Sequence, residues 1–422
     1  MRTTPQDTVR CHFYAPVENA KARITSLRHC PEFSDDDFIE AGVGRIIADV
    51  RSGRDWVQQL QMWMNSRLSV SNFFHSLRST RRLRFLREVA TWVRQQVDTS
   101  LDPALDPLAA HPELRHFAVY GSDGHYEAAA SHAPRSSGDK EASGIFFSIN
   151  LRSHSLELLD VARPVRKWEH DMTALKRLGS AVLRMGEPAG IKVLHVYDPA
   201  GIDYAEWFKW KAKGIYLISR EKSNSAAEVV GKNDWDRNDP RNKGVLCDEL
   251  LGVFCGHLMR RVRYRDPATN TEFSFITNEM SLPPGLIAFL YKLRWDIEKA
   301  FDEKKNKLQE KKAWATSPVA RCQQALFLCL AHNLMLIFER CLRYEHDITD
   351  EKVQAKRQQR TDALIAQLAD RGLSPNPLVL QCTRATQRSL QFIRWLRHSL
   401  FKPTSYAEAL ALLRPLMQEY LA

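Results

Sequence analysis

The stretch 191–222, IKVLHVYDPAGIDYAEWFKWKAKGIYLISREK, decides how this chain folds. IKVLHVYD is an apolar run of strand length that ends in Asp198. DYAEWFKWKAKG has helical spacing and stops at Gly214, a residue that closes helices in the left-handed conformation. IYLISREK is strand-like again. A buried strand, a helix and a second strand in succession predict an α/β sheet.

The same grammar extends upstream. HFAVYGSDGH (116–125) reads as a short strand ending in Asp123 and Gly124. GIFFSINLRSH (144–154) alternates as a strand, with SLELLDVAR (155–163) as its hairpin partner, and EHDMTALKRLGSAVLRM (169–185) reads as a helix. The order is therefore three strands, helix, strand, helix, strand. Downstream, residues 223–283 break the alternation. GKNDWDRNDPRNKG (231–244) reads as loop, and LMRRVRYRDPATNTEFSFITN (258–278) as a hairpin turning at 266–270. A long helix is predicted from Pro284 to about Lys312, with helices continuing to 345. The tail is helical, broken at SPNP (374–377), and holds a basic helix over 384–400. Residues 33–99 read as helices opened by the cap residue Ser34, and the Pro-rich 101–114 as a linker.

With 61 Lys and Arg against 50 Asp and Glu, the net charge is +11 and the pI about 9.2. That balance favours a polyanionic partner, nucleic acid or an anionic membrane surface. Arg78, Arg81, Arg82, Arg84 and Arg87 crowd one segment, which suits phosphate contact as well as an ordinary solvated helix face. Eight cysteines show no CxxC pair and no zinc spacing, and the first ten residues are polar and basic. Reduced thiols in a cytoplasmic protein are expected. The apolar run 325–338 is interrupted by His332 and Asn333 and reads as a buried helix rather than a membrane span. No phosphate-binding glycine loop is present.

The predicted helix at 291–305, YKLRWDIEKAFDEKK, carries an unusual set of side chains. At about 100° per residue, Tyr291, Arg294, Glu298 and Lys305 fall within an arc of roughly 60°, beside the apolar stripe of Ile297, Phe301 and Leu308. A solvated surface helix produces such a stripe too. A lone strand-end aspartate is commonly a turn former. Asp123 and Asp198 on adjacent strands, followed by Glu298 on a docked helix, would instead form a three-carboxylate cluster at the strands' carboxyl ends. Oxygen ligands without Cys or His fit Mg²⁺, with Mn²⁺ as a substitute.

These residues resemble those of DDE transposases of the insertion-sequence group marked by a Y-(2)-R-(3)-E-(6)-K motif. Tyr291, Arg294, Glu298 and Lys305 match it with full spacing, AVYGSDGH resembles the first-Asp strand, and 193–222 the second-Asp unit. The resemblance covers about 110–340. It implies a ribonuclease H-like mixed sheet with flanking helices, interrupted by a β-rich insertion. The implied division is a helical DNA-binding region at 1–110, a core at 111–225, the insertion at 226–283, the Glu-bearing core helices at 284–345 and a helical tail at 346–422. It further implies metal-dependent cleavage and strand transfer at element ends. Asp123, Asp198 and Glu298 would hold metal. Tyr291, Arg294 and Lys305 would grip phosphates, with Arg220 and Lys222 beside them. An insertion aromatic, for which Trp235 is the candidate, would receive a flipped base. The implied partners are double-stranded DNA at transposon ends and target, and a second copy of the chain in a synaptic homodimer, with no membrane. A catalytically dead DNA-binding derivative and a metal-dependent nuclease of the same fold remain the alternatives. Asp203 is expected to cap a helix rather than bind metal, and Asp302 to be solvated.

Overall fold

A computed structural model describes residues 7–24, 33–50, 52–64, 68–127, 143–163, 169–223, 225, 227–253, 256–308, 312–382 and 388–418. Five helices open the chain: α1 (Val9–Lys21), α2 (Asp35–Ile47), α3 (Gly53–Met64), α4 (Val70–Ser76) and α5 (Thr80–Thr99). Ser34 caps α2 as expected: its hydroxyl accepts from the Asp37 N–H while the Asp37 carboxylate accepts from the Ser34 N–H. The Pro-rich linker forms two single 3-10 turns, Pro103–Leu105 and Pro112–Leu114.

Strands β1 (Phe117–Glu127), β2 (Ser143–Asn150) and β3 (Leu156–Val161) form an antiparallel meander. The helix α6 (Asp171–Leu183), kinked at Gly179 (φ 71°), crosses to β4 (Lys192–Tyr197), and α7 (Tyr204–Lys211) crosses to β5 (Ile215–Arg220). β4 pairs in parallel with both β1 and β5. It lies covered on both faces, which is why KVLHVY reads as a nearly unbroken apolar run. His195 in that run is a core histidine. It is bonded to Ser122 Oγ at 3.0 Å and the Leu183 carbonyl at 2.8 Å, and burial pushes its pKa down to about 4.

Residues 226–283 supply β6 (Glu228–Lys232), β7 (Val245–Gly252), β8 (Leu258–Arg265) and β9 (Glu272–Thr277). These add antiparallel strands to the core sheet through β5–β9, giving one nine-stranded sheet of order β3-β2-β1-β4-β5-β9-β8-β7-β6. The β8–β9 hairpin turns where the sequence predicts.

The long helix predicted from 284 is broken. α8 (Pro284–Leu293) and α9 (Trp295–Asp302) meet at Arg294, and a π-turn at Glu303–Lys307 follows. The core helix α10 (Pro318–His346) passes the length and apolarity test for a membrane span, yet 72% of its most apolar window is buried inside the fold. Its two polar interruptions are structural ties. Asn333 bonds both the N–H (2.9 Å) and the carbonyl (3.0 Å) of Leu156 at the start of β3. His332 links Glu303 of the π-turn to the His154 carbonyl. Helices α11 (Glu351–Asp370), α12 (Pro377–Cys382), α13 (Leu390–Leu400) and α14 (Tyr406–Gln418) complete the chain. The basic helix expected over 384–400 begins at Leu390, and 383–387 lie outside the described residues.

Candidate active site

The strand register fixes the first two carboxylates. The last β1–β4 pair is Gly121 with Val196, so Asp123 and Asp198, each two residues further on, stand at one level just past the parallel pairing; β1 does not end at Asp123 as the sequence suggests but runs on to Glu127, because its other edge stays paired with β2. Asp123 Oδ1 accepts from the N–H of the next strand residue, Gly124, at 2.8 Å, and Asp198 Oδ1 from the Ala200 N–H at 2.9 Å as the cap of the turn Pro199–Gly201, so each side chain is oriented by its own backbone. Asp203, five residues on, accepts from the Glu206 N–H at 3.0 Å as the cap of α7 and pairs with Lys176 at 2.6 Å. It is the helix cap the sequence predicts.

The third carboxylate of this cluster is one that sequence reasoning missed. Asp171, first residue of α6, places an oxygen such that one oxygen each from Asp123, Asp171 and Asp198 lie within 4.8 Å of one another. Gly124 makes the approach possible, because a Cβ there would stand 2.6 Å from Asp171 Oδ1. Nothing in the spacing of the sequence ties a helix-opening aspartate to two strand ends. Only the crossover topology does.

Burial pushes the Asp123 pKa up to about 7, opposed by Arg294 and reinforced by Asp198, and burial with the Asp198 charge pushes Asp171 up to about 6. Carboxylates that raise one another's pKa in this way favour a cation between them. The donors are all oxygen, which suits a hard divalent ion such as Mg²⁺ or Mn²⁺.

Arg294 delivers the motif helix to this cluster. Its backbone forms the α8–α9 junction, and a Cβ on Gly121 of β1 would lie 3.7 Å from its Cα. Its guanidinium donates to Asp123 Oδ2 at 3.3 Å and to Glu298 Oε1 at 2.7 Å. Glu298 therefore stands beside the cluster through Arg294 and is not among the three mutually close carboxylates. Tyr291 packs on Phe275 at 4.9 Å, with Arg294 5.8 Å from its ring centroid. Burial raises its phenol pKa, opposed by Arg294 and with smaller effects of the Asp198 and Arg220 charges.

Other expected residues land elsewhere. The π-turn takes Lys305 off the regular stripe and leaves it exposed. Its charge, after burial and Lys304, still helps to hold His125 of β1 down at about 4. Lys222 is exposed beyond the end of β5 rather than on the strand with Arg220. Trp235 follows β6, six strand spacings from β1, or roughly 29 Å at about 4.8 Å each along the sheet, and lies under Arg237 at 4.6 Å. That placement does not bring it to the carboxylates. Of the five clustered arginines, Arg82 is buried, donates to the Phe33 carbonyl at 2.6 Å and lies over Phe33 and Phe38. Arg81 grips Asp35 through two bonds of 2.8 and 2.6 Å. Both hold α5 to the start of α2. Arg78, Arg84 and Arg87 are exposed. Asp302 is half-buried, and its carboxylate accepts from Asn306 at 2.6 Å at the exposed surface.

Residues 135–334 match the family model described as Transposase DDE domain. Over these residues the chain is similar to a transposase DDE domain. The match takes in Asp171, Asp198 and Glu298 and begins twelve residues after Asp123. No curated protein matches the chain. The mixed sheet, with β4 parallel to β1 and β5 beside an antiparallel meander, is that of a ribonuclease H-like transposase domain.

Proposed function

We propose that this chain is an active transposase of the YREK-motif insertion-sequence group that cuts DNA at element ends and transfers the strand to a target. The observation that carries the proposal is the convergence of Asp123 and Asp198 at one sheet end with Arg294 and Glu298 of the motif helix, bonded directly to Asp123 through Arg294. Asp123, Asp198 and Glu298 would hold the divalent cation, Mg²⁺ or Mn²⁺. When bound there, the cation would activate water or a DNA 3′-hydroxyl and stabilise the leaving oxygen of the phosphodiester.

The protein's own groups do the rest. Arg294 balances Asp123 and Glu298 until a DNA phosphate takes over its guanidinium, which presents two parallel donors to phosphate oxygens. Tyr291 and Arg220 would join it on the phosphates, and Lys305 and Lys222 add exposed positive charge. Trp295, 57% exposed next to Arg294, offers a ring on which an unpaired base can stack, a better-placed face than Trp235. Residues 1–110 bind DNA through Arg78, Arg84 and Arg87, residues 226–283 extend the core sheet, and two copies of the chain act together on paired ends in the cytoplasm.

Incubation with Mg²⁺, labelled element ends and a target plasmid tests this reading. Joined product supports it. Binding without cleavage indicates a catalytically dead derivative, and cleavage without joining a nuclease.

A further inference from the structure

Asp171 is not used by the reading above, and neither is the phenol of Tyr197. Tyr197 is the last residue of β4, directly before Asp198, and its side chain is fully buried. The turn Pro199–Gly201 closes over its ring so tightly that a Cβ on Gly201 would stand 2.5 Å from it. Its hydroxyl has no hydrogen-bond partner among the described residues, and the charges it feels are those of Asp171, Asp123 and Asp198. A buried hydroxyl without a partner costs on the order of 1–3 kcal/mol, so an unpartnered phenol on the residue directly before Asp198 points to something that sits at this cluster. An ion with bound water would both separate the carboxylates and accept from the phenol.

We infer that Asp171 is a further metal-holding residue of this site and that Tyr197 positions the ion's bound water. The inference rests on the proposed metal-dependent reading and deepens it, because it adds a ligand from the α6 crossover. Asp171 reaches the cluster without rearrangement, whereas Glu298 is held by Arg294. The site would therefore bind a cation before DNA draws Arg294 away.

The test uses the full chain without DNA and Mn²⁺ as the probe, with binding followed by electron paramagnetic resonance and melting recorded with and without the ion. Asp171→Asn should weaken Mn²⁺ binding on the order of tenfold or more. It should also raise the metal-free melting temperature, because an isosteric amide removes like-charge repulsion, whereas loss of a merely structural aspartate would lower it. Tyr197→Phe should keep the metal-free fold and weaken Mn²⁺ binding by a smaller factor. If Asp123→Asn loses Mn²⁺ while Asp171→Asn binds like wild type, this inference fails and the metal-dependent reading stands. Wild-type protein that takes up no Mn²⁺ overturns both.

Discussion

The two halves of the sheet treat charge in opposite ways. In the added strands, acids have their own arginines. Asp248 is gripped by Arg260 at 2.9 and 2.6 Å, Glu249 by Arg261 at 2.7 Å, and Glu272 by Arg263 and Arg265. Where the parallel pairing of β1 with β4 stops, three carboxylates crowd together, and the one guanidinium bonded to any of them among the described residues, Arg294, is shared with Glu298. Paired charges in a sheet fix register and neutralise one another. An uncompensated cluster opposes folding unless something outside the chain relieves it, and so it marks where the protein meets a ligand.

The largest effect should come from removing one uncompensated charge. Asp198→Asn keeps the turn bond to Ala200 but deletes a charge that holds a hard cation, so cleavage of an end-containing duplex should drop to background with fold and DNA binding retained. Asp203→Asn should keep most activity, since Asn caps helices about as well as Asp. Activity in the first variant and none in the second would falsify the assignment of Asp198.

Breaking a compensated pair should instead cost stability. Asp248 and Arg260 are 1% and 3% exposed, and Arg260 also donates to the Leu282 carbonyl at 2.7 Å. Arg260→Ala strands a buried carboxylate and should destabilise by about 3–5 kcal/mol in urea unfolding. Replacing both partners, as Arg260→Met with Asp248→Leu, should recover most of that. A loss in the single variant below about 1 kcal/mol would mean that the pairing does not hold these strands in place.

The uncompensated cluster also predicts a pH dependence of definite sign. Asp123 and Asp171 have folded pKa values near 7 and 6, above their unfolded values. Their contribution is therefore favourable at low pH and is lost as pH rises through 6 and 7. Metal-free protein should melt lower at pH 8 than at pH 5.5 through these two groups, and Mg²⁺ should restore the difference while binding more tightly at the higher pH. A melting temperature that is insensitive to Mg²⁺ at pH 8 would break the contrast between the two halves.

How much of this was legible in the sequence follows the same division. β4 and β5 announce themselves because strands covered on both faces are largely apolar, and the end of β4 then places Asp198, whereas β1 runs four residues past Asp123 on its pairing with β2, which the sequence does not show. The cap at Asp203 and the β8–β9 turn are local chemistry, so they too can be read. Asp171 could not be found, because its partners lie 48 residues before it and 27 after it and meet it only through the crossover of α6. The stripe of Tyr291, Arg294, Glu298 and Lys305 assumed an unbroken period of 3.6. The junction at Arg294 and the π-turn at 303–307, tied by His332 to the His154 carbonyl, are tertiary effects that shift Lys305 out of line. Arg81 and Arg82 look like any basic run until Asp35 and Phe33, some 46 to 49 residues away, are packed against them.

That last pair carries the comparison into the N-terminal helices, where the effect should be smallest. Arg81 is matched by Asp35, and Arg82 is buried over Phe33 and Phe38, whereas Arg78 and Arg84 have no side-chain partner among the described residues. If unmatched charge marks the contact surface here as it does at the sheet end, the two kinds of arginine should separate in one experiment. Each phosphate contact releases counterions worth about 0.9 in the slope of log affinity against log salt. Arg78→Ala with Arg84→Ala should then flatten that slope by up to about 1.8 in a mobility-shift titration, with the melting temperature unchanged. Arg81→Ala should do the reverse, lowering the melting temperature because Asp35, itself 4% exposed, loses its bidentate partner. Its salt slope should stay near that of wild type. A slope that falls equally for both variants would mean that Arg81 leaves Asp35 to meet DNA, and that the rule drawn from the sheet does not extend to the helices.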